Sequence, residues 1–396
     1  MPQVSLTHCH SYNPAEVEEA LDLAIGRLGG MERFVRPGMR VVLKVNMVMP
    51  MHPATSTVTH PEVVAQVARL VKAAGGVPVL GDSPALQSSD KGLEASALAC
   101  GYMEIAEREG IEFITHITRT EVQVKNGYRV SSFPAAEEFV NADAIINIAK
   151  AKTHTFTVFS GAVKNSFGVI PGLSKPPYHA KFPRKEQFAE FLLDVTATVK
   201  PVLHVIDGIV GMEGPGPSSG YPTPLGMLGL STDPHALDLV TAHLMGLPIE
   251  EVTTLAAGRR HGLLPEGGLE QIDLFGEDLA AYLPARPFMP AVMPKNKIVK
   301  YVNRGVQMIV PRRARQAMRS RPAVDAQKCK VCGNCVRICP MKVITIVDSL
   351  PKIDPQPCIR CYCCHEMCPH KAIDVFKPGF LGIGGERIVR ENQTQK

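Results

Sequence analysis

VVLKVNMVMPMHPATSTVTHPEVVAQVARLVKAAGGVPVL, residues 41–80, carries a strand, a helix and a second strand in one short stretch. Val41 to Val45 is a buried-strand candidate that follows the turn Pro37-Gly38. From His60 to Ala74 the apolar residues recur at helical spacing, with Pro61 at an early helical position and Gly75-Gly76 as the stop. Val77 to Leu80 is apolar again. Strand, helix, strand is the signature of a parallel βαβ unit. It recurs downstream: Ala144 to Ile148 and Val202 to Ile206 are strand-like, the latter ending in Asp207-Gly208. A Pro/Gly-rich loop, 211–224, then leads to a helix from Pro234 to Met245. The expected class is α/β: mostly parallel sheet, in one or two lobes, with flanking helices, over residues 1–294.

At 396 residues there is room for two or three domains with their own cores. A composition of 45% hydrophobic and 20% charged residues is ordinary for a soluble globular protein. The net charge of +5 is mild. Much of it lies between Lys295 and Arg321, where nine Lys or Arg residues occur and no acidic one. Residues 295–322 read as a basic linker with solvated side chains, able to meet an acidic partner. No base-readout pattern accompanies the run, so nucleic acid is set aside. No apolar stretch approaches the roughly 20 residues of a membrane helix, and no secretory leader is recognisable. The expected location is cytoplasmic.

Eight cysteines near the C-terminus repeat one spacing. Cys329, Cys332, Cys335 and Cys339 read C-x2-C-x2-C-x3-C before Pro340, and Cys358, Cys361, Cys364 and Cys368 repeat it before Pro369. The copies are offset by 29 residues, with Asp325-Ala-Gln-Lys aligned to Asp354-Pro-Gln-Pro. This is the bacterial ferredoxin run, in which the fourth cysteine ligates the other cluster. One [4Fe-4S] cluster is therefore expected on Cys329, Cys332, Cys335 and Cys368, and a second on Cys358, Cys361, Cys364 and Cys339. Structural zinc is the weaker alternative, since C-x2-C pairs also bind zinc. Disulfides fit a reducing compartment poorly. Cys363 is left over, a bystander thiol or a competitor of Cys364 for iron. A small α+β two-cluster ferredoxin domain is expected over 323–378, and a loose tail over 379–396.

In open α/β sheets ligands bind beyond the carboxyl ends of the strands. Lys44 and Asn46 close the first strand, Asp82 and Ser83 follow the next, and Lys150, Lys152, Thr153 and His154 follow a third. Lys164 and Asn165 come ten residues later. Any one of these has a dull reading as cap, turn or solvated charge. Together they deliver Lys, His, Asn and Asp to one sheet edge. The lysines would form an electropositive pocket for a carboxylate or phosphate. His60, His154 and His179 would supply proton transfer near neutral pH. No dinucleotide fingerprint, phosphate loop or hydrolase elbow is present.

These residues resemble the domain-of-unknown-function 362 family. Leu43-Lys44-Val45-Asn46 is similar to its Leu-Ile-Lys-Pro-Asn strand, with Val in the Pro position. Thr59 to Val64 matches Thr-x-Pro-x-Val-Val, Gly81 to Pro84 matches Gly-Asp-Ser-Pro, and Lys150 to His154 matches Lys-x-Lys-Thr-His. Gly161 to Gly168 matches Gly-Ala-x-Lys-Asn-x-Phe-Gly, and Asp207-Gly208 and Asp233 to Asp238 fit as well. The resemblance spans nearly the whole chain. It implies an α/β fold and a cytoplasmic iron–sulfur protein. In plan the α/β part is also similar to the lactate racemase family, from which no catalytic role is carried over.

The leading expectation is an oxidoreductase that passes electrons through two clusters to or from a small anion or cofactor in the cleft. His154, His60 and Lys152 are its candidate catalytic groups, with Lys44, Asn46, Lys150, Thr153, Lys164, Asn165, Asp82 and Ser83 binding the ligand. A redox partner protein would donate or accept the electrons. The alternatives are a non-enzymatic electron-transfer adaptor and a racemase or isomerase with structural clusters.

Overall fold

Alternation along the first parallel strands sets the layers. Val41 and Leu43 pack into one core with the helices Pro14–Arg27 and Pro61–Ala73, whereas Val42 joins a second core built on the helix Lys185–Val199. The sheet is thus apolar on both faces, as parallel strands flanked by helices require. The computed structural model describes residues 1–86, 89–291, 319–378 and 385–387. Most of the expected basic linker and of the expected tail lies outside the described residues.

The strands of the larger body are β1 (Gln3–His8), β2 (Arg40–Lys44), β3 (Val77–Gly81), β4 (Glu112–Phe113), β5 (Arg119–Gln123), β6 (Ser132–Ala136), β7 (Ala144–His154), β8 (Val158–Ser160), β9 (Leu203–Glu213), β10 (Tyr221–Ser231) and β11 (Asp273–Phe275). Nine of them form one sheet in the order β11-β1-β10-β9-β7-β2-β3-β4, with β8 paired to the end of β7. Neighbours from β9 through β4 are parallel, as are β1 and β11, while β10 runs against both its neighbours. Strands β5 and β6 form a separate hairpin.

The helix Pro61–Ala73 links β2 to β3, as the residue pattern predicts. His60 caps it through Nδ1, which accepts from the Glu62 N–H at 3.2 Å. Gly75, at φ +83°, ends it. The chain leaves β2 toward β3 on one side and returns to β7 on the other. The carboxyl ends of β2 and β7 therefore border a topological switch point.

Two expectations need correction. β7 does not stop at Ile148 but runs to His154, and all eleven of its residues are buried. β9 does not end at Asp207 but continues to Glu213, so part of the expected loop 211–224 is strand. Pairing overrides the Pro/Gly signal: Lys152 of β7 faces Met212, Tyr221 folds back opposite Glu213, and an irregularity between Pro224 and Met227 absorbs the prolines.

The C-terminal module has β12 (Arg321–Val324) against β15 (Ile373–Pro378), the hairpin β13 (Ile344–Val347) and β14 (Leu350–Ile353), and β16 (Gly385–Arg387) beside β15. Its backbone repeats with its sequence. Positive φ occurs at Val331, Gly333 and Lys342, and again 29 residues later at Arg360, Tyr362 and Lys371. Each half carries one short helix, Asn334–Ile338 and Cys363–Glu366. The module is seated on the larger body. Met49 and Leu86 share a core with Ile338, Cys363 and Met367. The Ser218 hydroxyl donates to the Glu366 carbonyl at 2.6 Å, and His365 Nε2 lies 3.2 Å from the Pro215 carbonyl.

Candidate functional site

Where β2 and β3 end, Lys44 turns inward. Its ammonium pairs with Asp82 Oδ1 at 2.9 Å and donates to the Val45 carbonyl at 2.6 Å. Asp82 accepts in addition from the Met47 N–H at 2.6 Å and the Ser83 N–H at 2.7 Å. An ion pair this deep is stable only with its remaining sites satisfied, and these backbone donors provide that. Gly168 packs against the pair: a Cβ there would stand 2.2 Å from Lys44 Nζ and 2.4 Å from Asp82 Oδ1. The glycine of the Gly-Ala-x-Lys-Asn-x-Phe-Gly stretch is thus required by space, not by φ.

Asn165 ties this corner to β7. Its Oδ1 accepts from Lys44 at 3.3 Å and from Asn46 Nδ2 at 2.9 Å, and its Nδ2 donates to Asn147 Oδ1 at 2.7 Å. Asn46 Oδ1 in turn accepts from Lys152, which also donates to the Thr57 carbonyl at 2.7 Å. Lys175 donates to the Ser83 and Ile170 carbonyls. Lys164 differs from these. Its ammonium stands over the Phe167 ring at 5.0 Å and has no hydrogen bond or ion pair among the described residues.

These groups surround a cavity of about 90 Å³ lined by Lys44, Lys152, Lys164, Lys175, His154 and His179 among others. Its remaining wall comes from the C-terminal module: Ile338, Cys363, Glu366 and Met367. On the helix Cys363–Glu366 the first and last residues face the cavity, three apart on one helical side. Glu366 Oε1 lies 3.3 Å from His154 Nε2, a charge contact without hydrogen-bond alignment, and accepts no hydrogen bond. A larger groove of about 740 Å³ opens elsewhere and shares Ser83 with the cavity, but the titratable groups converge on the smaller space.

Burial governs the protonation of this site. Desolvation lowers Lys152 well below its ordinary value, with Lys164 and Lys150 adding repulsion. Lys164 is lowered by desolvation and partly restored by Glu366. Lys175 is pushed down to about 7, chiefly by burial. Glu366 is pushed up to about 7 by burial, against the pull of Lys164 and Lys152. Burial, then Lys164 and Lys152, hold His154 neutral. His154 Nδ1 accepts from the Phe156 N–H at 3.0 Å, so in the neutral ring Nε2 carries the proton, 3.3 Å from Glu366 Oε1 but not aligned on it.

Of the residues singled out from sequence, Lys44, Asn46, Asp82, Ser83, Lys152, His154, Lys164 and Asn165 line this cavity. Three do not. The Thr153 hydroxyl turns to β9, donating to the Gly214 carbonyl at 2.9 Å. Lys150 pairs with Asp207 at 2.8 Å and bonds the Tyr12 hydroxyl at 2.6 Å. His60 stacks on that same Tyr12 ring, centroids 3.6 Å apart, with burial lowering its pKa to about 4. Lys150 and His60 thus share a second cluster with Asp207. Glu366, Lys175 and Cys363 went unassigned. Aligning the two cysteine runs would have drawn attention to two of them: Cys363 stands where the first run has Asn334, and Glu366 where it has Arg337.

The cysteines come together across the two runs. Cys335 is raised to about 11, by burial and then by Cys368, Cys332 and Cys329. Cys358 feels Cys361 and Cys339, and Cys364 feels Cys361, Cys358, Cys339 and, last, Cys335. Among the described residues no three ligating side chains converge as a single ion would need. Thiolates that each hold a separate iron of a cubane stand wider apart. This donor set, sulfur only and drawn from both runs, fits [4Fe-4S] chemistry.

The family model described as "Domain of unknown function (DUF362)" matches residues 41–243. The chain belongs to the DUF362 family. A 4Fe-4S dicluster domain matches residues 321–369 of this DUF362 protein. A thylakoid-associated protein of Synechocystis sp. is 36% identical over 266 residues, 66% of this chain and 80% of that relative. Among solved structures, the lactate racemase apoprotein from Thermoanaerobacterium thermosaccharolyticum has a TM-score of 0.39 at 12% identity over 64% of this chain. A Thermotoga maritima protein has a TM-score of 0.31 at 14% identity over 55% of this chain. The chain spans 58% and 55% of those two proteins, and at such scores neither carries an argument about function. No helix among the described residues is long and apolar enough to cross a membrane.

Proposed function

We propose that this DUF362 protein is an iron–sulfur oxidoreductase in which a small anion, held in the cavity, exchanges electrons with the adjoining cluster. One observation carries the reading. The cavity that gathers the lysines of the strand ends is closed by the helix that also bears Cys364. A ligand there would be separated from that cluster by this one short helix.

In this reading Cys358, Cys361, Cys364 and Cys339 hold the cavity-side cluster, and Cys329, Cys332, Cys335 and Cys368 the other. The clusters supply one-electron chemistry. The side chains do the rest. Lys164, lacking an anionic partner of its own, takes the negative charge of the ligand, with Lys152 and Lys175 beside it. The Lys44–Asp82 pair and Asn165 hold these groups in place. His154 presents its Nε2–H to the bound ligand as a hydrogen-bond donor, and Glu366, pushed up to about 7, is the group that gives or takes the proton. Thiols kept free in a reducing, cytoplasmic compartment suit this chemistry, and none of the eleven cysteines is in a disulfide.

The test is iron and sulfide content with EPR of the anaerobically reduced protein, titrated with small carboxylates and oxyanions. About eight irons, with signals bleached by an anion in the native protein and not in Lys164→Met, is the expected result. Reoxidation by partner proteins alone would replace the enzyme with an adaptor, and zinc in place of iron would end the redox reading.

A further inference from the structure

The two halves of the C-terminal module share a backbone but not an environment. In the second half Cys361, Cys363, Cys364 and Cys368 are buried, and Glu366 and His365 are committed to the larger body. In the first half Cys332 is exposed and Cys329 partly so. Between residues 326 and 347 the first half carries Lys328, Lys330, Arg337 and Lys342 and no Asp or Glu. Asp325 and Asp348 flank this stretch and are occupied by Lys328 at 3.7 Å and Lys352 at 3.1 Å. Lys330 and Lys342 have no ion pair or hydrogen bond through their ammonium groups among the described residues, and both are exposed. Apolar side chains stand beside them: Val331 and Met341 are each 37% exposed.

We infer that this stretch, which exposes Lys330, Cys332 and Lys342, docks a small acidic one-electron carrier protein. The inference rests on the proposed electron exchange and assigns its entry point. A thiolate ligand at the surface brings one cluster within reach of an outside donor, whereas none of the other set, Cys358, Cys361, Cys364 and Cys339, is more than partly exposed. Exposed apolar residues ringed by unpaired cations suit a transient protein complex with an acidic partner. A small-molecule reductant needs neither feature. In the encounter the reduced carrier loses one electron and is oxidised, and the cluster held by Cys329, Cys332, Cys335 and Cys368 gains it. No proton or atom is transferred. Repeated encounters supply the electrons consumed at the cavity.

The test compares the iron-loaded native protein with Lys330→Glu/Lys342→Glu, using a reduced acidic flavodoxin as the probe. At about 10 mM salt the native protein should be reduced roughly 10-fold faster or more than the variant. The advantage should vanish near 300 mM, where screening extends over only a few ångströms. Calorimetry of the oxidised carrier should show the same loss of binding. Iron content and reduction by dithionite should be equal in both proteins. Should the double charge reversal lower iron content, Lys330→Gln/Lys342→Gln gives the same order of rates with less perturbation. A native rate indifferent to salt, or variants as fast as the native protein, overturns the inference. Reduction of the protein by the carrier that persists while no anion binds the cavity refutes the proposed function and leaves this face standing.

Discussion

Replacing Lys164 by Met separates a ligand-binding lysine from a structural one. The substitution keeps the stem and removes the charge. In the native protein the ammonium faces the Phe167 ring at 5.0 Å and has no hydrogen bond or ion pair among the described residues, so no protein acceptor is orphaned by its loss. Desolvation is the largest influence on it and opposes the charged form. Folding stability should therefore stay level or rise. Binding moves the other way. A unit charge about 4 Å from an anion at an effective dielectric of about 20 interacts by roughly 4 kcal/mol. Net of desolvation, hydrogen bonds to charged groups retain about 1.5–3 kcal/mol. At about 1.4 kcal/mol per decade the variant should bind a small carboxylate or oxyanion some 10- to 100-fold more weakly. Calorimetric titration with a panel of such anions, paired with thermal unfolding, reads both quantities. A lower Tm together with unchanged affinity would refute the assignment.

Lys152→Met should behave differently, losing anion affinity and about 1–3 kcal/mol of stability as well, because Asn46 Oδ1 and the Thr57 carbonyl lose their donor; denaturant unfolding measures it. Gly168→Ala should break the Lys44–Asp82 pair by steric contact and lower both stability and anion affinity, checked by the same two assays. Anion affinity should fall as pH rises through about 7, since Lys175 is charged below that value and neutral above it; titrations across that range test the sign. The crossed ligand sets predict that Cys358→Ser/Cys339→Ser keeps about four irons while Cys329→Ser/Cys339→Ser loses nearly all, by iron and sulfide analysis.

The residue order conveyed the elements that repeat locally. The helix after His60 and the strands around it are visible because Pro61, Gly75 and the apolar period all act within one turn or one pleat. The cysteine runs are visible for the same reason. The extensions of β7 and β9 meet each other at Lys152 and Met212, far apart in the chain, and their ends are held by the hairpins to β8 and β10, which the apolar pattern does not mark. The same holds for the cavity. Eight of the residues singled out from sequence line it, but Lys150 and His60 follow Asp207 to another cluster. Glu366 was hidden for a different reason: inside a cysteine run, attention goes to the ligands, while its role comes from contact with a body 200 residues earlier in the chain, where His154 lies.

The helix Cys363–Glu366 serves two masters, and that has a price in oxidative damage. Its fold depends on the sulfur ligands around it, because small metal-bound modules order their backbone largely through the metal. Stripping the nearby iron with oxygen or a chelator should loosen the helix and take away the wall that Cys363 and Glu366 give to the cavity. A damaged molecule would then release its anion instead of holding it idle. If the cavity holds an anion as proposed, its capture would be conditional on an intact electron supply, a safeguard that arises from shared architecture and needs no separate sensor.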